Sequence, residues 1–236
     1  VREVLVVVPA WNEERNLRPV LAELRAARPD DDVLVVDDGS TDATSSVVRE
    51  CGGLLLRLPI HLGYGAAIQA GVKFGLRRGY RVVATFDGDG QHDPGDLAAL
   101  VEAVRSGSDL VLGSRCLAAG AYLGGPLRRG GRLLFSTLAR WLTGLPLTDP
   151  TSGLKALGVR GQELFAQSRF PDRFPDADAL VLARRARLHV AERPARMRRS
   201  RNRHSMHSGL RGAAYTFNML FSLLVAALGR EGDLRG

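Results

Sequence analysis

Asp87-Gly88-Asp89 sets two carboxylates on either side of one small residue, directly after the apolar run Val82–Phe86. At the end of a strand such a pair can face a single Mg²⁺ or Mn²⁺, because these hard cations take oxygen ligands and share them with substrate phosphates. Gln91 and His92 follow in the same segment and can add a ligand or a hydrogen bond. Asp-Gly pairs are also common turn formers, and it is the strand-end position that favours the metal. A second acidic cluster, Asp37-Asp38-Gly39-Ser40-Thr41-Asp42, follows Val33–Val36 in the same way. An acid there can accept from a ribose hydroxyl or a base N–H, while Ser40, Thr41 and Asp42 can cap the next helix. Pro9-Ala10-Trp11-Asn12-Glu13 closes the first apolar run, Val4–Val8. Trp11 can stack on a base; for a lone tryptophan, core packing is the commoner fate.

The elements that must position these groups alternate. The continuous apolar run Val4–Val8 predicts a strand buried on both faces, and Val33–Val36, Leu54–Leu58, Val82–Phe86 and Asp109–Leu112 predict four further strands. Helical periodicity is expected over Glu13–Ala27, Thr41–Glu50, Gly65–Arg78 and Pro94–Arg105, the last opened by a proline near its first turn. Alternating β and α with short connections implies an α/β domain with a mostly parallel sheet and helices on both faces. Ligands on such sheets bind past the carboxyl ends of the strands, and the acidic clusters fall there. Beyond residue 113 the pattern loosens. A helix is expected at Leu127–Leu142, then a short strand, two helices and a strand over 153–193. An arginine-dense loop at 194–207 leads into an apolar helix at Gly209–Leu228. At 236 residues, 45% hydrophobic and 25% charged, the chain suits one large domain with a C-terminal appendage. We divide it into 1–207 and 208–236.

Three of these segments, in this order, resemble the family-2 glycosyltransferases with the GT-A fold, a Rossmann-like architecture. They are Pro9-Ala10-Trp11-Asn12-Glu13, Val35-Val36-Asp37-Asp38-Gly39-Ser40-Thr41-Asp42 and Phe86-Asp87-Gly88-Asp89-Gly90-Gln91-His92. The resemblance covers about residues 3–200 and implies inverting transfer from a nucleoside-diphosphate sugar, GDP- or UDP-linked. It implies that Pro9, Ala10, Glu13 and Asp38 line the nucleoside pocket, with Trp11, Asp37, Gly65 and Gly88 beside them. Asp87 and Asp89 would meet the metal-diphosphate, with Gln91 in the metal shell. Asp89-x-Gln91-His92, Gly113-Ser114-Arg115 and Asp149-Pro150-Thr151-Ser152-Gly153 bring the match nearest to polyprenyl (dolichyl) phosphate mannosyl- or glucosyltransferases. Arg115, Arg129 and Arg132 would then hold the acceptor phosphate, and Arg203 the diphosphate. Two positions depart from the family pattern: His61 stands where Asn is usual, and His204 where Arg is common. Processive synthases carry Gln-x-x-Arg-Trp; here Thr137 takes the glutamine position before Arg140-Trp141, which argues against that class.

Such a transfer needs charge neutralised on the leaving diphosphate and an acceptor aligned for in-line attack. A hydroxyl acceptor also needs a general base, whereas a phosphate is already ionised. Asp149 is the candidate base or orienting carboxylate, unless it only forms a turn before Pro150; Asp176 and Asp178 rank behind it.

The net charge of +8 conceals a split, with 12 basic and 17 acidic side chains in residues 1–112 against 21 and 8 in the remainder. A basic half invites an anionic partner. The stretch Arg193–Arg211 lacks interleaved aromatics, and neither helix-turn-helix nor zinc spacing occurs, so nucleic acid is not expected. It leads into the uncharged Gly212–Gly229, 18 residues long, at the lower limit for a bilayer span. An interfacial helix, core packing and a span are the three options, the first fitting the flanking arginines best. With no secretory leader before the first strand, and Cys51 and Cys116 matching no metal or redox spacing, the expected location is cytoplasmic, peripheral on the inner face of a membrane, with room for a membrane-protein partner. Two rival functions stand: a soluble family-2 enzyme with a hydroxyl acceptor, and a non-catalytic nucleotide-sugar-binding protein. A Rossmann dehydrogenase is disfavoured, since no Gly-x-Gly-x-x-Gly follows the first strand.

Overall fold

The computed structural model describes residues 2–118, 136–137, 140–141, 144–167 and 175–198. Arg129, Arg132 and Arg203, most of the helix expected at 127–142, and the apolar stretch 212–229 lie outside them. So do the side chains of Asp176 and Asp178.

The central apolar runs form strands buried on both faces, which leaves no room for alternating polar residues, whereas the run from Leu54 forms a partly exposed edge strand. In chain order the elements are β1 (Val4–Ala10), α1 (Glu14–Ala27), β2 (Asp32–Asp37), α2 (Thr44–Glu50), β3 (Leu54–Arg57), α3 (Tyr64–Arg78) and β4 (Val82–Thr85). After a 3-10 turn at Pro94–Asp96 come α4 (Leu97–Arg105), β5 (Leu110–Ser114), β6 (Lys155–Leu157), α5 (Val159–Phe165), α6 (Pro175–Arg185) and β7 (Val190–Pro194). The sheet order is β3-β2-β1-β4-β6-β5-β7. β6 alone runs antiparallel, to β4 and β5, while β7 returns parallel to β5. The α/β, mostly parallel architecture expected from the sequence is therefore present.

Two apolar layers flank the sheet. Leu17, Leu21 and Leu24 of α1, Val48 of α2 and Leu100 of α4 cover one face. Ile68 and Val72 of α3, Phe165 of α5 and Leu180 of α6 cover the other. Gly71 and Gly75 let α3 lie close on the sheet: a Cβ at either would collide with the side chain of Val7 or Val83. The first turn of α2 starts at Thr44, later than expected, because residues 40–43 are engaged by the loop after β1.

At the opposite end from the acidic clusters, Tyr80 donates its hydroxyl to Asp32 at 2.6 Å. Burial, reinforced by this carboxylate, pushes the phenol up to about 12 from 10.0. Unfolded chains lose the proton near 10 while the fold keeps it, so this contribution is complete below pH 10 and fades as pH rises through about 12. Denaturant midpoints taken from pH 8 upward should fall over that window, and Tyr80→Phe should flatten the fall.

Candidate active site

β1 lies between β2 and β4, so the sheet's switch point opens between β1 and β4, where the loops after three parallel strands converge. The first two loops are zipped together. Asn12 N–H donates to the Ser40 hydroxyl and Glu13 N–H to the Thr44 hydroxyl, both at 2.9 Å. In return Thr41 N–H reaches Asn12 Oδ1 at 2.9 Å and Ala43 N–H reaches Glu14 at 3.0 Å. Asn12 takes a left-handed φ of 55° to make this exchange, a conformation asparagine tolerates. Asp42 accepts from Thr44 N–H at 2.9 Å, whereas Ser40 and Thr41 are occupied by the β1 loop. The N-cap position itself is Ala43, without a side-chain cap, and of the three expected residues Asp42, just before it, reaches the first helical N–H.

Asp37 and Asp38 are both buried. Asp37 accepts from Ser40 N–H at 2.8 Å and from the Ser45 hydroxyl. Asp38 takes Leu62 N–H and Gly63 N–H, one on each oxygen, at 2.8 Å, with His61 Nδ1 also 2.8 Å away. Both carboxylates therefore act first on the loops, and Asp38 holds the 61–63 segment across Gly39. That crossing requires glycine: its φ is +67° and a Cβ would stand 2.5 Å from the Ile60 carbonyl carbon. Trp11 is not in the core. It is 45% exposed and stacks on His61 with ring centroids 4.3 Å apart and planes 21° apart. The carboxyl of Glu13 accepts from Asn16 at 2.5 Å, and burial raises its proton affinity.

Asp87 and Asp89 project from the loop after β4. Asp87 accepts from the Tyr64 hydroxyl at 3.1 Å and faces His92 Nε2 at 3.3 Å. Burial works against its charge, yet His92 and, beyond it, Lys155 hold the carboxyl below the usual range. Asp89 goes the other way: burial first, and then the charge of Asp87, raise it. Gln91 donates its backbone N–H (2.9 Å) and Nε2 (2.6 Å) to Asp89, leaving its Oε1 for another partner. Gly88 packs on the Pro9 carbonyl, 3.3 Å from where a Cβ would stand, and Ala10 O accepts from Asp38 N–H at 2.9 Å. Gly65 is buried in the first turn of α3, next to Tyr64. Two mutually repelling carboxylates beside a side-chain amide oxygen make the kind of oxygen set a hard dication takes. Among the described residues no group of three or more His, Cys, Asp or Glu forms a closed cage. An ion held here would share its remaining positions with substrate oxygens or water. His92 Nδ1 is buried beside this set and has no hydrogen-bond partner among the described residues.

Because β6 runs against β4, its approach brings 149–155 to the same end of the sheet. Thr85 donates its hydroxyl to Gly153 O at 2.7 Å, and a Cβ on Gly153 would run into the Asp87 carboxylate. Gly153→Ala should therefore displace Asp87 and cost about 1–3 kcal/mol by overpacking; thermal melts and a Mn²⁺ titration would read both effects. At the end of β5, Arg115 grips Asp149 through Nε (2.5 Å), Nη2 (2.6 Å) and its own backbone N–H (3.0 Å). Nη2 also donates to the Thr151 hydroxyl at 3.0 Å. Asp149 has 0% exposure and Arg115 18%, a geometry that suits Asp149 to orienting rather than to proton abstraction.

The basic stretch expected after 193 stays exposed at Arg196 and Arg198 but is ion-paired there. Arg196 pairs with Asp96 (3.1 Å) and Arg198 with Glu23 (2.8 Å), both within 3.4 Å of Asp93. Their segment runs beside the Asp87–His92 loop, with Arg198 N–H on Gln91 O at 2.8 Å. Sequence reasoning passed over Lys155, Tyr64 and Glu192. A buried lysine between Leu154 and Ala156, in a chain whose other basic residues are nearly all arginine, was the one available signal.

Paired carboxylates at the switch point of a GT-A-like sheet define a glycosyltransferase class. The chain belongs to glycosyl transferase family 2, whose model matches residues 5–148. It is 39% identical over 168 residues to the polyprenol monophosphomannose synthase of Mycolicibacterium smegmatis, covering 66% of this chain and 61% of that protein. To the undecaprenyl-phosphate mannosyltransferase of Micrococcus luteus it is 40% identical over 159 residues, 65% of each chain. The matched region thus spans less than two thirds of either relative. Glucosyl-3-phosphoglycerate synthase from Mycobacterium tuberculosis, solved with Mn²⁺, UDP and phosphoglyceric acid, shares the fold at TM-score 0.74 and 22% identity, over 98% of this chain and 80% of that one.

Proposed function

We propose that this chain is an inverting hexosyltransferase that moves a mannose- or glucose-type sugar from a GDP- or UDP-linked donor to a polyprenyl phosphate at the cytoplasmic membrane surface. The observation that carries the reading is the pairing at the same end of two strands separated only by β6: two carboxylates after β4, and one oriented guanidinium after β5 whose carboxylate partner is already engaged. A fixed cation is what an anionic acceptor needs, and an ionised phosphate needs no base. The names of the two mannosyl-transferring relatives point to the same acceptor class.

On this reading Asp87, Asp89 and Gln91 hold Mg²⁺ or Mn²⁺. The ion would supply Lewis-acid neutralisation of the leaving diphosphate. Tyr64, His92 and Lys155 fix Asp87, and Gln91 fixes Asp89. Trp11 offers an exposed ring for the nucleobase, backed by His61, while Asp38 keeps the 61–63 backbone in place beneath it. Glu13, Pro9, Ala10, Asp37, Gly65 and Gly88 shape the donor pocket. Arg115 holds the acceptor phosphate, joined by Arg129 and Arg132, and Arg203 meets the diphosphate. Asp149 orients Arg115. The domain limits 1–207 and 208–236 belong to the same proposal, with 212–229 lying on the membrane.

A panel of GDP- and UDP-hexoses, with Mn²⁺ or Mg²⁺ and a short polyprenyl phosphate, tests it. One donor should be consumed to give an inverted glycosyl phosphate. Nucleotide binding without turnover under every combination would favour the non-catalytic alternative.

A further inference from the structure

The grip of Arg115 on Asp149 rests on a further carboxylate. Glu192 on β7 accepts Thr148 N–H on both oxygens at 2.9 Å, the Thr148 hydroxyl at 2.8 Å and Asp149 N–H at 2.9 Å. The Thr148 hydroxyl also lies 2.6 Å from the hydroxyl of Ser114, the residue before Arg115. Glu192 therefore sets the backbone from which the Asp149 side chain springs, and Thr148 ties that backbone to the end of β5.

The donor inventory of Arg115 shows what this accomplishes. Nε and Nη2 are committed to Asp149 and Thr151. Among the described residues Nη1 meets the Met197 sulfur, at 3.8 Å, a weak acceptor. A guanidinium clamped along one edge presents its remaining edge in a single direction, which is what recognition of a phosphate demands.

We propose that Glu192 is a positioning residue for acceptor recognition. Acting through Thr148 and Asp149, it aims the Nη1 edge of Arg115 at the incoming phosphate. This rests on the reading of Arg115 as the acceptor-phosphate residue. Neither Glu192 nor Thr148 needs to touch substrate.

Glu192→Gln keeps the size of the side chain but sets an amide NH₂ against backbone donors. With the full chain, a short polyprenyl phosphate and the productive sugar nucleotide, KM for the acceptor should rise about 10-fold, equal to about 1.4 kcal/mol. KM for the donor should stay within about twofold. Without any substrate, the Arg115 Nε–H signal should exchange faster with solvent by NMR. Thr148→Val, which removes only the hydroxyl link, should shift both readouts in the same direction by less, and decides alone if Glu192→Gln does not fold. Unchanged acceptor KM and unchanged Nε–H exchange would overturn the proposal, as would equal changes in both KM values. If the wild-type chain uses no polyprenyl phosphate, the functional reading fails, and the exchange measurement still decides whether Glu192 orders Arg115.

Discussion

Replacing Asp89 by alanine is expected to lower sugar transfer by about 10²–10³-fold, the range seen when one preorganised group that stabilises transition-state charge is removed. The same change should not lower the melting temperature. In the free protein Asp89 is a liability: burial and the neighbouring Asp87 both oppose its charge. Removing it relieves that repulsion and, among the described residues, gives up its two contacts with Gln91 and the attraction of His92. Sites that keep like charges together at a cost to stability keep them for function. Turnover under saturating Mn²⁺, read beside a thermal melt, separates the two effects. A variant with full activity, or one that is inactive because it has unfolded, would contradict this account of Asp89.

The second large effect is on stability. Arg115→Met strands the Asp149 carboxylate, which has 0% exposure, without its cation. Breaking a buried pair from one side costs about 3–5 kcal/mol. The Arg115 backbone N–H still donates to Asp149, so the lower half of the range is expected. For a domain of this size that is roughly 6–16 °C in melting temperature. Following Arg115→Met with Asp149→Leu should recover most of the loss, since an apolar replacement of both partners leaves no orphaned charge. Activity should not return in the double variant. Calorimetry of the single and double variants, with turnover alongside, measures the coupling.

Much of the proposed donor side is legible because one regularity, a continuous apolar run ended by an acid, marks a strand and its carboxyl end together. Asp37, Asp38, Asp87 and Asp89 were found in that way. Their immediate partners were not. Asp38 is held by the backbone of Leu62 and Gly63, and no pattern of side chains announces a backbone donor. Trp11 was expected in the core because large aromatic residues gain most from burial, yet the loop that carries it turns outward at Asn12 and leaves the ring on His61. The acceptor side depends on strand order. Arg115 and Asp149 stand 34 positions apart, and Asp149 and Glu192 43 apart. They meet only because β6 inserts antiparallel between β4 and β5 while β7 adds to the edge. Local periodicity is blind to that insertion. The ion pairs of the exposed Arg196 and Arg198 escape the sequence for a similar reason, their acidic partners lying about 100 and 175 positions away.

The sharpest test of the central claim compares two acceptors that differ by one group. A short polyprenyl phosphate and the corresponding polyprenol, each offered with the productive sugar nucleotide and Mn²⁺, should give transfer to the phosphate alone if Arg115 serves the proposed anionic acceptor, since Asp149 is engaged with Arg115. Equal or preferential glycosylation of the alcohol would contradict the account and require a general base at this site.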